Sequence, residues 1–310
     1  MFKKYILPLV GLSALCLNHT QAMATNPDIA NAERPPVVSQ SKPNIIFFIA
    51  DDMLPRHFNC LPQGKGKNLT PNIDRLASEG TMLLDLHVAS PICTPSRYNV
   101  LTGNYASRAN NPWFKQTTKR EGQSIVEFNT HIISSDITLP GLLQKAGYTT
   151  GMAGKNHVID VHDLKRFPNF DASAKDPKNA SKLKANHDHV CQAIREIGFD
   201  YAASVYHNNP DFLGLHEVAV QNMDWITQGG VDFLNQAHEE PFFLYFATTV
   251  PHGPTAEKRS WNANPLISAI GYLDEAPTVQ PARDTIPTRL KSAGLPVDDS
   301  TANMLWLDDG

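Results

Sequence analysis

The sequence predicts an α/β fold, a mostly parallel central sheet with helices on both faces. Strand-length apolar runs alternate with capped helical segments, which is the pattern of a parallel sheet. The clearest run, "NIIFFIA" at 44–50, is continuously apolar and reads as a strand covered on both faces. Chemistry-bearing side chains follow strand after strand, and open α/β sheets receive ligands beyond the carboxyl ends of their strands.

Composition narrows the class. The 310 residues are 41% hydrophobic and 19% charged, with a net charge of −4. That suits a globular chain of one large or two medium domains with ample core. No Lys/Arg block or basic stripe is present, which argues against a nucleic-acid partner. Residues 1–24 combine a basic start ("MFKK"), an apolar stretch ("YILPLVGLSALCL") and a small-x-small end at Ala24. They read as a cleavable signal peptide rather than a stable membrane anchor, so the expected location is secreted or periplasmic. Residues 25–42 read as a flexible polar tail, and 43–310 as the folded domain.

Within that domain the strand at 44–50 ends in Asp51 and Asp52. "TPNIDRLASEG" is a helix with Thr70 as N-cap, Pro71 at its first position and Gly80 as its stop. "TMLLDLHVAS" (81–90) reads as a second strand, and "TPSRYNVLTG" as a helix opening just after Cys93 and closed by Gly103. "TLPGLLQKAGYTTGMAGK" gives a capped helix, Gly147, then a short strand ending at Lys155. "VDFLNQAHEE" reads as a helix and "PFFLYFATTV" as a buried strand running into "PHGP". The polar stretches at about 160–215 and 255–300 show little periodicity and read as long loops rather than separate domains. Asp308 and Asp309 fall in a final helix, on a solvated face.

After loss of Cys16 with the signal peptide, Cys60, Cys93 and Cys191 remain. An odd count in an oxidising compartment leaves one over. Cys60 and Cys191 could pair, so Cys93 is the residue that needs a chemical reason. The other candidates each admit a plainer role. Asp51 and Asp52 could cap the next turn, or hold a hard divalent cation through their carboxylates. Lys155 and His157, two apart, share a face if the backbone is extended, where they could hold an anionic oxygen and move a proton. His252 stands on a turn stiffened by prolines. Arg97, on the helix that opens near Cys93, could neutralise an anion.

"CTPSR" followed by "YNVLTGNY" resembles the signature of the type I sulfatases of the alkaline-phosphatase-like superfamily. "NIIFFIADDM", "TPNIDRLASEG", "GKNH" and "VPHGP" stand in the family's order, so the resemblance runs from about Pro43 to the end of the chain. It implies that a formylglycine-generating maturation enzyme converts Cys93 into Cα-formylglycine. The hydrated aldehyde would attack the sulfur of a sulfate ester, and its second hydroxyl would let the sulfate leave by collapse to the aldehyde. The resemblance also implies one Ca²⁺ ion held by Asp51, Asp52 and the converted Cys93. Arg97 would steady the formylglycine, and Lys155 would hold a sulfate oxygen. His157 would assist the diol, and His252 would contact the sulfate or protonate the leaving oxygen. Asn156 stands where family members more often carry Trp.

The family pattern continues with a strand ending in an Asp-Asn pair that completes the metal site, then a further lysine and a smaller C-terminal domain. These have no counterpart here, so the resemblance implies an incomplete N-terminal catalytic domain with its C-terminal part missing. The expected substrate is a sulfate ester, with His187, His189, His207 and His216 in polar stretches pointing to a sulfated poly- or oligosaccharide. A phosphonate or phosphodiester hydrolase of the same superfamily, a non-catalytic fragment, and a thiol hydrolase using Cys93 directly are the alternatives.

Overall fold

The computed structural model describes residues 42–309, apart from 68, 213–214, 237, 254 and 280–282. The signal peptide and all of the tail except Lys42 therefore lie outside the described residues. In chain order the elements are β1 (Ile45–Asp51), α1 (Pro71–Glu79), α2 (Cys93–Thr102), α3 (Pro112–Glu121), α4 (Leu139–Lys145), β2 (Thr149–Lys155) and α5 (Pro177–Glu196). Then come β3 (Tyr201–Tyr206), α6 (Met223–Leu234), β4 (Phe242–Pro251), β5 (Ile267–Ser268), β6 (Gly271–Tyr272), α7 (Ile286–Ser292) and α8 (Asp299–Asp309).

The main sheet has strand order β1-β4-β2-β3, every pair parallel. β4 explains why helices cover both faces. Its alternate residues Phe243, Tyr245 and Ala247 enter one core with Tyr98 and Leu101 of α2 and Val190 and Ile194 of α5. Leu244 and Phe246 enter the other, with Ile226 and Phe233 of α6, Leu290 of α7 and Trp306 of α8. A β5–β6 hairpin sits over a smaller cluster that includes Leu183 and Leu215.

Several local expectations are corrected. β1 is an edge strand, paired only with β4 among the described residues, and Ile46 and Phe48 are 54% and 45% exposed. Its apolar run gave no means of telling an edge from a centre. Residues 81–90 form no strand, and Leu83, Leu84, Leu86 and Val88 are exposed. A strand-like pattern needs a partner, and none of the described strands pairs with it.

The 160–215 stretch is not a loop. Asp176 accepts from Lys178 N at 2.8 Å and starts the 20-residue α5, whose buried Leu183, Val190, Cys191 and Ile194 were masked by polar neighbours. β3 follows. Residues 255–300 likewise include α7 and the hairpin. α6 begins at Met223 and ends at Leu234, earlier at both ends than its apolar run suggested.

Asp308 does lie in a helix, but it is buried. Its carboxylate accepts from the backbone N–H groups of Asn72 and Ile73, both at 2.9 Å, at the N-terminus of α1. Thr70 occupies the N-cap position without capping, and its hydroxyl accepts instead from Asn59 N at 3.2 Å. The three cysteines described are free, so Cys60 and Cys191 are not paired.

Candidate active site

Three neighbouring strands end at one place. Asp51 closes β1, Lys155 closes β2, and His252 follows Pro251 at the end of β4. α2 begins with Cys93, and Gly103 ends it in the left-handed region at φ +68, where its N–H donates to Asn99 O at 2.8 Å. The close approach of β2 to β4 needs Gly154. At φ +96 any Cβ there would sit 1.7 Å from the Ala247 carbonyl oxygen, and the next residue is Lys155.

The side chains meet on Asp51, which is 4% exposed. Cys93 Sγ lies 3.3 Å from Asp51 Oδ1. Arg97 Nη2 lies 3.4 Å from the same oxygen, and Lys155 Nζ donates to Oδ2. Lys155 Nζ also donates to Asn209 Oδ1 at 2.7 Å. Arg97 Nη1 donates to the Lys155 carbonyl at 3.0 Å, and Thr94 to the His157 carbonyl at 2.9 Å, tying the start of α2 to the end of β2.

Ligating atoms of Asp51, Cys93 and His252 lie within 4.8 Å of one another. Asp52 is outside that tight group. It stands at φ +64, and its carboxylate reaches His252 Nε2 at 3.6 Å. His252 Nδ1 is 2.6 Å from the Gly253 carbonyl, to which it donates, so Nε2 is the nitrogen that faces Asp52.

Electrostatics follow from burial and from two cations on one carboxylate. Burial opposes the charge on Asp51, but Arg97 and Lys155 outweigh it and hold its carboxyl below the usual range. Burial and the adjacent Asp51 push the Cys93 thiol up to about 11. As a thiol, then, residue 93 is a protonated, poor nucleophile at neutral pH. Arg97 Nε and His157 Nδ1 are buried without a hydrogen-bond partner, which marks where a bound group would be received, while Arg97 Nη2 is engaged by Asp51.

Lys155 and His157 do not share a face. The strand stops at Lys155 and His157 adopts φ +55, so the period-two alternation breaks between them. The His157 ring stacks on Phe128, with centroids 5.5 Å apart. Burial, with Lys155 and Arg97 nearby, drives its pKa down to about 3.

Asn156 is fully buried, and its Oδ1 accepts from the N–H groups of Val158 and Ile159 at 3.2 and 2.8 Å. That fixes the amide, so Nδ2 donates to His207 Nδ1 at 3.3 Å and the His207 proton sits on Nε2. Burial, with His131 nearby, pushes His207 down to about 4 and keeps it neutral.

His157, His207 and Asn209 line one cavity of ≈440 Å³ together with Trp113, Phe128 and Arg166. Of the four histidines that suggested a sugar, only His207 lines it. His187 is half-buried beside Trp225, His189 contacts the His162 carbonyl, and His216 pairs with Asp171. Asn209 was missed by sequence reasoning. Its one signal was its place in "HNNP", just beyond a strand.

The family model described as Sulfatase matches residues 43–266. The chain belongs to the sulfatase family. The chain is 29% identical over 241 residues to the N-acetylgalactosamine-6-sulfatase of Mus musculus, covering 74% of this chain and 44% of that protein. It is 32% identical over 165 residues to the N-acetylgalactosamine-6-O-sulfatase of Bacteroides thetaiotaomicron, covering 53% of this chain and 26% of that one. The chain thus spans less than half the length of these curated relatives. A solved structure from work on the metabolism of glycosaminoglycans by Bacteroides thetaiotaomicron shares the fold. It has a TM-score of 0.50 and 21% identity over 87% of this chain and 57% of that one. Among the described residues no helix is long and apolar enough to cross a membrane.

Proposed function

We propose that this protein is an exported sulfatase that hydrolyses sulfate esters of a sulfated poly- or oligosaccharide. In this reading a maturation enzyme converts Cys93 into formylglycine, and Asp51, Asp52 and the converted residue hold one Ca²⁺ ion. The observation that carries the reading is the meeting of Cys93, Arg97 and Lys155 on one buried carboxylate at the end of the sheet. The relatives' names support a sugar sulfate as substrate, and the sequence of residues 1–24 supports export.

The donor set fits a hard cation. Asp51 and residue 93 offer ligating atoms beside His252, the Asp52 carboxylate lies 3.6 Å from His252 Nε2, and a divalent ion held among them would offset the repulsion of the carboxylates. When present, the ion and the hydrated aldehyde would supply charge neutralisation and a paired-hydroxyl nucleophile.

The chain's own side chains do the rest. Lys155 lies within hydrogen-bond reach of Asp51 and can hold a sulfate oxygen beside residue 93. Arg97 donates to the Lys155 carbonyl, pairs with Asp51 through Nη2 and keeps Nε unpartnered beside the site, where the guanidinium can steady residue 93. His157, its buried Nδ1 without a partner, is the residue the resemblance sets beside the diol, and His252 Nε2 faces the site where it can contact the sulfate or the leaving oxygen. A direct thiol mechanism is disfavoured because the Cys93 thiol is pushed up to about 11.

The test is co-expression with a formylglycine-generating enzyme, followed by mass spectrometry of the residue-93 peptide with hydrazide trapping. Conversion, with Ca²⁺-dependent sulfate release from sulfated disaccharides, is the expected outcome. An alkylatable thiol under conditions that convert a control sulfatase would overturn the reading. Faster cleavage of an aryl phosphodiester than of any sulfate ester would move the protein to the phosphodiester branch.

A further inference from the structure

The ≈440 Å³ cavity shares His157 and Asn209 with the reaction centre, yet most of its wall has no part in the chemistry proposed above. Trp113 and Phe128 are 53% and 50% exposed and offer aromatic surface at its side. Trp113 meets His131 edge-on at 5.6 Å, and Phe128 rests on His157. Between them His207 supplies an uncharged N–H donor, its tautomer set by Asn156. Rigid aromatic surface with a few fixed neutral donors is the chemistry of a sugar ring's subsite, because a pyranose has apolar faces and hydroxyl edges.

The charges on the wall are unequal in their commitments. Asp160 is taken up by His131 at 3.5 Å and His162 at 3.4 Å. The hydrogen bond from His131 leads the effects that hold its carboxyl below the usual range. Arg166 has no such partner. Its guanidinium lies 4.8 Å over the Phe212 ring and makes no ion pair among the described residues. Lys182 Nζ donates to the Arg166 carbonyl at 2.7 Å, adding positive charge nearby. Stacking on an aromatic face pre-orients a guanidinium without consuming its donors, and its fork suits carboxylate or sulfate oxygens.

We infer that this cavity receives a sugar unit of the substrate and that Arg166 reads a second anionic group on it, selecting acidic oligosaccharides over neutral ones. The inference rests on the sulfatase reading for which ester is cleaved, but its test needs neither formylglycine nor turnover. Three probes are titrated calorimetrically into the full chain. They are an unsulfated disaccharide of glucuronic acid and N-acetylglucosamine, its carboxyl-reduced form, and the reduced form carrying one sulfate.

The expected result is that a charged probe binds about 10-fold tighter than the neutral one, the scale of one hydrogen bond to a charged group. Which charged probe wins identifies carboxylate or sulfate as the recognised group. Arg166→Gln should remove the preference and Arg166→Lys should retain part of it, with near-UV circular dichroism confirming that both variants fold. Equal affinity for all three probes, no saturable binding, or a preference that survives in Arg166→Gln would overturn the inference. Failure of the sulfatase reading shows separately, as an unconverted Cys93 and no sulfate release while the probes still bind.

Discussion

Asp51 and Asp224 are both buried carboxylates beside an arginine, and their surroundings drive them in opposite directions. Asp224 is fully buried on α6. Its Oδ1 accepts from Trp306 Nε1 at 2.9 Å, and its Oδ2 lies 2.6 Å from Arg283 Nη2. Arg283 in turn lies 4.6 Å over the Trp306 ring. Burial wins there, and the carboxyl is pushed above its usual range despite Arg283 and Trp306. At Asp51 a second cation, Lys155, reverses the balance. One arginine matched to one carboxylate and roofed by tryptophan makes a closed structural pair. Two cations on one carboxylate leave positive charge in reserve, which under the proposed function a sulfate ester would meet.

The sharpest way to break this contrast is to remove one cation from each site. Arg283→Met strands the Asp224 charge and should cost about 3–5 kcal/mol in urea unfolding. Lys155→Met leaves Asp51 paired with Arg97 and keeps an apolar stem, so it should cost less, about 1–2 kcal/mol for the oxygens of Asp51 and Asn209 that lose their donor. Sulfate release by the converted protein should nonetheless fall about 10²–10³-fold. Equal stability losses in the two variants would mean that Lys155 is as structural as Arg283.

His187 offers a case of burial without a buried countercharge. Burial pushes it down to about 4, so between its unfolded value of 6.5 and about 4 the unfolded chain binds a proton that the folded chain refuses. Stability is full above pH 6.5 and drains as pH falls through that window, by roughly 2–3 kcal/mol at pH 4. His187→Gln should flatten the slope of unfolding free energy against pH. An unchanged slope would assign the acid sensitivity to other groups.

Asp308 gives the smallest effect. Its carboxylate accepts from two backbone N–H groups at the start of α1, and Asp308→Ala should cost about 1 kcal/mol, the worth of a helix cap. Thr70→Ala should cost less, since Thr70 does not cap. The reverse order would restore Thr70 as the cap.

Much of the site was legible because its parts fall just after apolar strands and carry a specific local signature. Asp51, Cys93, Arg97, Lys155 and His252 all converge as that pattern implied. What escaped had no local signal. Asn209 follows β3, whose "YAASVY" is too rich in small residues to announce a strand. Asp308 caps a helix 236 residues away, and no window of sequence contains both partners. The shared face expected of Lys155 and His157 failed on a single backbone angle that residue identity does not set. The parallel sheet itself came through clearly, because alternation of element types survives even when individual boundaries shift.

The strand order β1-β4-β2-β3 puts the last-made strand between two earlier ones. During synthesis β1 has nothing to pair with, among the described strands, until Phe242–Pro251 has left the ribosome. Asp51 and His252 cannot close around residue 93 before then. At about 5–20 residues per second, the interval between translating residue 93 and residue 251 is on the order of ten to thirty seconds. Throughout that time topology alone leaves "CTPSR" as an unfinished stretch of nascent chain, the state in which the proposed conversion of residue 93 would have to occur.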